Sequence, residues 1–313
     1  MKIAFCYSDT NAKAWLEGLR AALPQATVET WLPGADPNSG PAANADYAVV
    51  WAPPQQFLDE QPRLKALFNI GAGVDALMKL RLPDKLTVVR LEDAGMAVQM
   101  AEYVCHFLLR HVRQFDGFEA DTRAGKWTQR RLENRSNFPV GIMGLGVLGQ
   151  RVAKTVQHLE FPTLGWSRSP HAMDGVRCYH GADQLHYFLA ATRVLVCLLP
   201  LTPDTRDVLC QDSLSRLQRG GYVINAARGP LLVDEDLIRL IDGGHLAGAT
   251  LDVFRTEPLP PEHPFWAHPA INVTPHVSAR TVHAESIAQI VGKIMAMERG
   301  ERVGGVVDLK RGY

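Results

Sequence analysis

A glycine-rich segment in the middle of the chain constrains the fold most strongly. Residues 138–149 read F-P-V-G-I-M-G-L-G-V-L-G, so a short apolar run ends in glycines at positions 144, 146 and 149. This spacing predicts a buried strand that turns into a helix with room for a pyrophosphate at the turn. A glycine turn without a ligand is the alternative interpretation. A helical apolar face in residues 150–160, followed by the apolar run 164–166, favours a complete βαβ unit.

The rest of the sequence predicts two α/β domains. Before the glycine segment, short apolar runs alternate with turns and helical patterns, as in a doubly wound parallel sheet. Two long helical patterns, at residues 99–115 and 287–297, would carry the chain between domains and back. The predicted fold class is α/β, with two doubly wound parallel-sheet (Rossmann-like) domains separated by a cleft. Residues 1–98 and 284–313 would form a discontinuous flavodoxin-like domain that binds substrate, and residues 99–283 a dinucleotide-binding Rossmann domain.

Composition argues against several classes of partner. Lysine and arginine together number 33, as do aspartate and glutamate, so no general positive field attracts nucleic acid or an anionic membrane. The N-terminal apolar run is too short for a signal peptide, and no apolar run is long enough to predict a membrane span. Five scattered cysteines without C-x-x-C spacing predict neither a closed disulfide framework nor a metal site. These features predict a cytoplasmic protein without a metal, a nucleic-acid partner or a membrane partner.

A second glycine loop follows the apolar run 68–70. Its sequence is G-A-G-V-D, and Gly71 and Gly73 free the backbone there. In one interpretation the exposed N–H groups of this loop hold a carboxylate. In the other it is an ordinary strand-to-helix turn before a helical stretch at residues 74–80. The segment by itself favours neither.

Three polar residues stand where predicted strands end in the second half of the chain. They are Arg228 in N-A-A-R-G, Glu257 in L-D-V-F-R-T-E-P and His276 in T-P-H-V. That edge is the ligand side of an open α/β sheet. Taken singly, each has a structural explanation. Arg228 could form a surface ion pair, Glu257 could simply precede a proline in a loop, and His276 could be a loop histidine whose hydrogen bonds are satisfied. Together they supply a cation for a carboxylate, a proton donor and an acid to hold that donor, which hydride transfer to a 2-keto acid requires.

With these motifs the chain resembles the D-2-hydroxyacid dehydrogenases over essentially its full length. The family's order is kept by V-G-I-M-G-L-G-V-L-G, L-L-P-L-T-P-D-T, N-A-A-R-G, L-D-V-F-R-T-E-P-L-P and T-P-H-V. Within the family, V-W-A-P-P, G-A-G-V-D and R-G-Y are similar to the bacterial glyoxylate/hydroxypyruvate reductase A group. The resemblance implies an NADPH-dependent reductase that converts glyoxylate to glycolate and hydroxypyruvate to D-glycerate. Some relatives of this fold are transcriptional corepressors, so a nicotinamide-sensing binding protein with little turnover is the alternative.

The resemblance also implies roles for individual residues. Arg228 binds the carboxylate and carbonyl oxygen of the substrate, His276 is the general acid, and Glu257 orients and charges His276. The implied substrate contacts are Trp51, Gly71, Ala72, Gly73 and Val74. The implied cofactor contacts are Gly144, Leu145, Gly146, Val147, Leu148, Gly149, Leu199, Pro200, Ala226 and Asp252, the last of them near the nicotinamide carboxamide.

The residues after the second strand of the βαβ unit bear on the choice of cofactor. An NAD-specific unit has an acid about twenty residues beyond the glycine loop, which accepts hydrogen bonds from the ribose hydroxyls. This chain has Ser167, Arg168 and Ser169 at that place, and no acid. Arg168 offers a planar, permanently charged fork to a 2′-phosphate, and Ser169 offers a further donor. The sequence therefore predicts a preference for NADPH, with a solvated strand-end cation as the other interpretation of Arg168.

The segment before the glycine loop, residues 110–137, is polar and charged, and contains Trp127 in G-K-W. An arm that meets another subunit is one interpretation, and a solvated loop is the other, which the residues alone slightly favour. The family resemblance implies a homodimer that pairs through the nucleotide domain.

Overall fold

The computed structural model describes residues 1–7, 12–36 and 38–313. In these ranges the strands are β1 (Lys2–Tyr7), β2 (Thr27–Thr30), β3 (Tyr47–Trp51), β4 (Ala66–Asn69), β5 (Thr87–Arg90), β6 (Val140–Met143), β7 (Thr163–Ser167), β8 (Arg177–His180), β9 (Val194–Cys197), β10 (Gly221–Asn225), β11 (Leu246–Leu251) and β12 (Ile271–Val273). The α-helices there are α1 (Ala12–Ala22), α2 (Gln55–Asp59), α3 (Met96–Val112), α4 (Phe115–Arg123), α5 (Val147–His158), α6 (Gly181–Ala191), α7 (Gln211–Leu214), α8 (Asp234–Asp242) and α9 (His283–Glu298). Across those same ranges, no helix is both long and apolar enough to cross a membrane.

The chain divides into two compact units by its internal packing. One consists of Met1–Gly95 and Thr281–Tyr313, and the other of Met96–Arg280. The predicted domain boundaries, after residues 98 and 283, and the assignment of substrate to one domain and dinucleotide to the other stay predictions.

The first unit is built on a parallel five-stranded sheet within the described residues. Its strand order is β2-β1-β3-β4-β5, the flavodoxin-like order of a doubly wound sheet. Strand β4 is buried throughout, which is why residues 66–68 are consecutive apolar residues rather than an alternating pattern, with only the last residue, Asn69, polar. The end of the chain returns to this sheet, because the Val307 N–H donates to the Val88 carbonyl at 2.8 Å and Val306 bridges to Val89.

The second unit contains a parallel seven-stranded sheet in the order β12-β11-β10-β9-β6-β7-β8. One face is covered by α3 and α5, whose buried residues cluster with those of β6 and β9. The opposite face is covered by α6 and α8. The strand order reverses between β6 and β9, and ligands bind outside the carboxyl ends of strands at such a switch point. The loop after β6 starts at this switch point.

The predicted fold class is confirmed in its two doubly wound parallel sheets, but two local predictions were wrong. The helical stretch expected at residues 74–80 is only a 3₁₀ turn at Leu77–Lys79, because the space between the glycine loop and Pro83 is too short to stabilise a helical nucleus. Of the two interpretations of segment 110–137, the arm that meets another subunit stays a prediction, and the solvated loop was wrong for the part of the segment that forms α4. This helix has no buried residue, so it lacks the apolar face by which helices are recognised in a sequence.

Acid should weaken the second unit through His111. Its ring stacks on Tyr222 with 4.1 Å between centroids, and burial, followed by the charge of Arg193, lowers the pKa of His111 to about 4. The unfolded chain has the ordinary pKa near 6.5 and binds a proton first, so stability is full above that pH and falls as the pH drops toward 4.

The loss over that window should reach up to about 3 kcal/mol. We expect His111→Gln to flatten the fall of the urea midpoint between those two pH values, while His158→Gln on an exposed position does not. Parallel pH profiles for wild type and His111→Gln would contradict the assignment.

Candidate active site

Two glycines of the loop after β6 are required by packing within the chain itself. Gly144 has φ +111°, and a Cβ there would lie 2.8 Å from the carbonyl oxygen of Leu198. A Cβ on Gly149 would lie 1.8 Å from the carbonyl oxygen of Gly144. The tight turn and the close approach of α5 to β6 account for these two glycines without any ligand.

Gly146 differs, because packing does not explain it. Its φ of −71° suits any residue, and a Cβ there would meet no atom of the described residues within 4 Å. Helix α5 begins at the next residue, Val147, so its first N–H groups open onto the same space. Free space in front of a helix N-terminus suits a pyrophosphate. The loop therefore fits a dinucleotide.

The other residues predicted to contact the cofactor lie at the carboxyl ends of neighbouring strands. Leu199 and Pro200 follow β9, and the backbone of Leu199 borders Gly144. Ala226 follows β10, the next strand of the sheet. Leu145 is buried against Gly165. Their position at the ligand edge of the sheet suits the predicted role, and the contacts themselves stay predictions.

Strand β7 ends at Ser167, where a carboxylate would select NAD. Ser167 is buried, and its hydroxyl donates to the Ser169 carbonyl at 2.7 Å. The Ser167 oxygen also lies 3.0 Å from Nδ1 of His171, a residue that sequence reasoning did not single out. Arg168 and Ser169 are exposed. Because the Ser167 hydroxyl already donates its proton to a carbonyl, Arg168 is the stronger candidate to bind a phosphate here.

Arg228 lies in the loop after β10 and is fixed by that loop. Asn225 is fully buried, and its side chain donates to the Arg228 carbonyl at 3.2 Å and accepts from the Ala227 N–H at 3.2 Å. The guanidinium of Arg228 donates through Nη1 to the Ala227 carbonyl at 2.6 Å. Both the backbone and the side chain of Arg228 are thus held at the ligand edge of the sheet.

Glu257 and His276 are hydrogen-bonded as the sequence predicted, with 2.8 Å between Oε2 and Nδ1. The other carboxylate oxygen of Glu257 accepts from the Phe254 N–H at 2.9 Å, which fixes the acid. A carboxylate only accepts, so Nδ1 carries a proton and Nε2 is the nitrogen that remains for chemistry. The side chains are 46% and 36% exposed for His276 and Glu257, so a small substrate reaches the imidazole.

The backbone of His276 is held in an unusual conformation. Its φ of +53° is in the left-handed region, which non-glycine residues seldom adopt and which is common at functional sites. The His276 N–H donates to the Asp252 carbonyl at 2.9 Å. Asp252 is fully buried, and its carboxylate accepts from Thr274 Oγ1, the Val277 N–H and the Ser278 N–H at 2.6, 2.9 and 2.8 Å. Its predicted contact with the nicotinamide carboxamide stays a prediction.

Arg255 ties the loop of Glu257 to the loop of Arg228. Its Nε donates to the Leu232 carbonyl at 2.9 Å, and its Nη2 contacts the Asp207 carboxylate. The two loops also touch at Gly229, where a Cβ would lie 1.9 Å from the Phe254 carbonyl carbon. Sequence reasoning missed this clamp, because no spacing rule links an arginine to a carbonyl on another loop.

The loop predicted to hold the substrate carboxylate lies in the first unit. Asn69 is buried and donates to the carbonyls of Gly71 and Gly73 at 3.1 and 2.8 Å. A Cβ on Gly71 would lie 2.6 Å from the ring of Trp51, which is itself 40% exposed. In the described part of the chain, no acceptor takes the N–H groups of residues 71–74. A loop that Asn69 fixes, whose N–H groups have no acceptor within the described residues and which lies beside a partly exposed indole, fits the anion-binding interpretation better than a simple turn.

The second unit therefore joins the parts of an acid-assisted reduction at one edge of a sheet. Strands β10, β11 and β12 are neighbours, and their following loops carry a fixed guanidinium and an imidazole oriented by a carboxylate. The loop after β6, a strand that only β9 separates from β10, opens a helix N-terminus onto free space. Across the described ranges, no group of three His, Cys, Asp or Glu residues has the arrangement of a metal site.

Comparisons with known proteins agree with this chemistry. Residues 105–278 match the sequence profile of the D-isomer specific 2-hydroxyacid dehydrogenase NAD-binding domain. Over 100% of both chains, the sequence is 44% identical to a glyoxylate/hydroxypyruvate reductase A of Serratia proteamaculans. A D-isomer specific 2-hydroxyacid dehydrogenase of Xanthobacter autotrophicus Py2, solved with NADPH and MES, is 39% identical with a TM-score of 0.91 over 99% of each chain. An NADPH-dependent glyoxylate/hydroxypyruvate reductase of Sinorhizobium meliloti, solved with NADP and sulfate, is 36% identical with a TM-score of 0.91, covering 100% of this chain and 99% of that one.

Proposed function

Because the chain belongs to the D-isomer specific 2-hydroxyacid dehydrogenase family, as its motifs predicted, we propose that it is an NADPH-dependent reductase of small 2-oxo acids. Its substrates are glyoxylate, reduced to glycolate, and hydroxypyruvate, reduced to D-glycerate, in line with the names of its relatives. The observation that carries the proposal is the 2.8 Å bond between Glu257 and His276, in a sheet whose glycine loop after β6 fits a dinucleotide.

The residues of the second unit have separate tasks in this reaction. NADPH, when bound, supplies the hydride that reduces the carbonyl carbon. Negative charge then grows on the carbonyl oxygen, where the Arg228 guanidinium stabilises it. His276 delivers a proton to that oxygen from Nε2, while Glu257 holds Nδ1 and stabilises the charged imidazole. For the first unit, we propose that the N–H groups of residues 71–74 bind a carboxylate.

The cofactor is held by the loop after β6 and by the end of β7. The N–H groups at the start of α5 bind the pyrophosphate, and Gly146 lets it approach because no side chain fills that space. Arg168 binds the 2′-phosphate, with Ser169 as a further donor. The absence of an acid at Ser167 removes the repulsion that an NAD-specific site would exert.

Substrate preference tests this proposal directly. The loss of NADPH absorbance should report turnover of glyoxylate and hydroxypyruvate, with phenylpyruvate at least about tenfold poorer in kcat/KM. The proposed reason is Trp51, whose ring lies against Gly71 in the loop of residues 71–74 and should exclude long side chains. Trp51→Ala should reduce the difference in kcat/KM between glyoxylate and phenylpyruvate. A preference for phenylpyruvate would contradict the substrate class, and no turnover of any 2-oxo acid would favour the binding-protein alternative.

We further propose that the protein is a homodimer that pairs through the segment of residues 110–137. Trp127 is 96% exposed and Leu132 is 66% exposed, which is unusual for large apolar side chains on a free surface. Helix α4 has no buried residue, and a groove of about 430 Å³ runs along Phe115 and Phe118. A second copy of the chain would cover these apolar groups.

Light scattering at micromolar concentration should give twice the mass of the single chain. Trp127→Ala should shift the protein toward monomer, because removing an aromatic anchor commonly costs an interface about 2 kcal/mol or more. Trp266→Ala is the matched control, since Trp266 is 54% exposed on a different loop. A monomeric wild type, or an equal response to both substitutions, would count against this interface.

The location proposed for the enzyme is the cytoplasm. The five cysteines are free thiols in the structure, and burial raises the pKa of Cys6 to about 12, which keeps that thiol unreactive. Unpaired thiols and a reduced nicotinamide cofactor both suit a reducing compartment.

A further inference from the structure

A chain of hydrogen bonds runs from helix α3 to the segment that carries His276. The Tyr103 hydroxyl lies 2.6 Å from Thr274 Oγ1, which in turn donates to Oδ1 of Asp252 at 2.6 Å. A threonine hydroxyl has one proton, and the Asp252 carboxylate takes it. Tyr103 must therefore be the donor to Thr274. The chain has a fixed direction, from the tyrosine through the threonine to the carboxylate.

Asp252, the last residue of this hydrogen-bond chain, also binds the backbone around His276. Its carboxylate accepts from the N–H groups of Val277 at 2.9 Å and Ser278 at 2.8 Å, and its carbonyl accepts from the His276 N–H at 2.9 Å. His276 has φ +53°, a conformation that persists in a non-glycine residue only when its surroundings impose it. One buried residue, through its carboxylate and its backbone carbonyl, thus fixes both the position and the unusual conformation of the segment that carries the imidazole.

The hydrogen bond of the Tyr103 hydroxyl can be tested separately from the packing of the Tyr103 ring. Its ring lies against Phe107 with 4.8 Å between centroids, a contact that phenylalanine would keep. Burial raises the pKa of the Tyr103 hydroxyl, so this group remains a neutral donor throughout the working pH range. Removing the hydroxyl alone deletes the first bond of the chain while the volume of the side chain is almost unchanged.

We propose that Tyr103 is a positioning residue for His276, acting through Thr274 and Asp252 to hold the imidazole in the orientation that proton transfer needs. Its kinetic consequence rests on the proposed reductase activity. Its structural consequence, an ordered backbone at residues 276–278, does not.

The structure offers a matched control in Tyr222. The Tyr222 hydroxyl lies 2.8 Å from Thr250 Oγ1, so this pair repeats the tyrosine–threonine bond within the same unit. Its other hydrogen-bond partner is Asn272 at 3.0 Å, and neither bond leads to the carboxylate of Asp252. Tyr222→Phe should therefore cost stability in the same way as Tyr103→Phe without loosening the segment of His276.

The test combines kinetics with amide hydrogen exchange on the full chain. Tyr103→Phe should lower kcat for glyoxylate about tenfold with little change in the KM for NADPH, because misplacement of an acid by a fraction of an ångström is costly. Exchange should become faster in the peptide that contains residues 276–278. Tyr222→Phe should lower the melting temperature similarly and change neither kcat nor that exchange.

A double-mutant cycle checks the route through Thr274. Thr274→Val should lower kcat, and adding Tyr103→Phe to it should cause no further loss, because the two residues act in one chain. Wild-type kcat and exchange in Tyr103→Phe, or equal effects of Tyr103→Phe and Tyr222→Phe, would overturn the inference. A wild type that reduces no 2-oxo acid would contradict the proposed function instead, and the exchange comparison would still decide whether Tyr103 anchors the segment.

Discussion

Replacing His276 with alanine should lower kcat for glyoxylate reduction by about 10²- to 10⁴-fold, the usual contribution of a positioned general acid. The imidazole is exposed at the edge of the sheet, and Glu257 fixes its orientation at 2.8 Å. Alanine removes the proton donor but leaves the glycine loop of the cofactor untouched. NADPH affinity, measured by fluorescence titration without substrate, should therefore change little.

Two further variants separate proton delivery from other effects. His268→Gln is the matched control, because His268 pairs with Asp242 at 3.2 Å in the same unit but precedes β12, whereas His276 follows it. This variant should keep near wild-type turnover. Arg228→Ala should raise the KM for glyoxylate as well as lower kcat, because the guanidinium binds the substrate before it stabilises the developing charge. Turnover of His276→Ala within a few-fold of wild type would remove His276 from the role of general acid.

Much of the fold could be predicted because the sheets are built from local apolar runs. Strands such as β3, β6 and β10 are buried and bounded by turn residues, so their existence is visible without knowing their partners. Strand β8 was not predicted, since R-C-Y-H lies at the edge of its sheet with a mixed polar pattern. Helix α4 was not predicted for a related reason. It is stabilised by ion pairs from Arg110 to Asp116 and Glu119, and not by a buried apolar face.

Site residues could be predicted from the sequence only where the side chain itself is of a catalytic or ligand-binding type. Arg228, Glu257 and His276 stand at strand ends, and a cation, an acid and an imidazole at a ligand edge indicate a function. Thr274 and Tyr103 gave no such signal. They are 171 positions apart, and a tyrosine on the apolar face of a helix is usually a core residue. Long-range hydrogen bonds of this kind depend on the packing of α3 against the sheet, which a single sequence does not specify.

The choice between the two nicotinamide cofactors depends on Arg168. Arg168→Ala should raise the KM for NADPH on the order of ten- to a hundredfold, because a charge-assisted hydrogen bond contributes roughly 1.5–3 kcal/mol. The KM for NADH should hardly change, since that cofactor has no 2′-phosphate. Ser167 does not replace the lost donor, because its hydroxyl is bonded to the Ser169 carbonyl at 2.7 Å.

The double change Ser167→Asp with Arg168→Ala should go further and favour NADH, since an acid at the end of β7 accepts hydrogen bonds from the ribose hydroxyls and repels a phosphate. Arg177→Ala is the matched control, an exposed arginine on the neighbouring strand β8 whose guanidinium stacks 5.1 Å from the Tyr179 ring. It should leave the ratio of kcat/KM for the two cofactors unchanged. If wild type used NADH as well as NADPH, or if Arg168→Ala and Arg177→Ala gave the same ratio, Arg168 would be a surface cation rather than the residue that selects the phosphate.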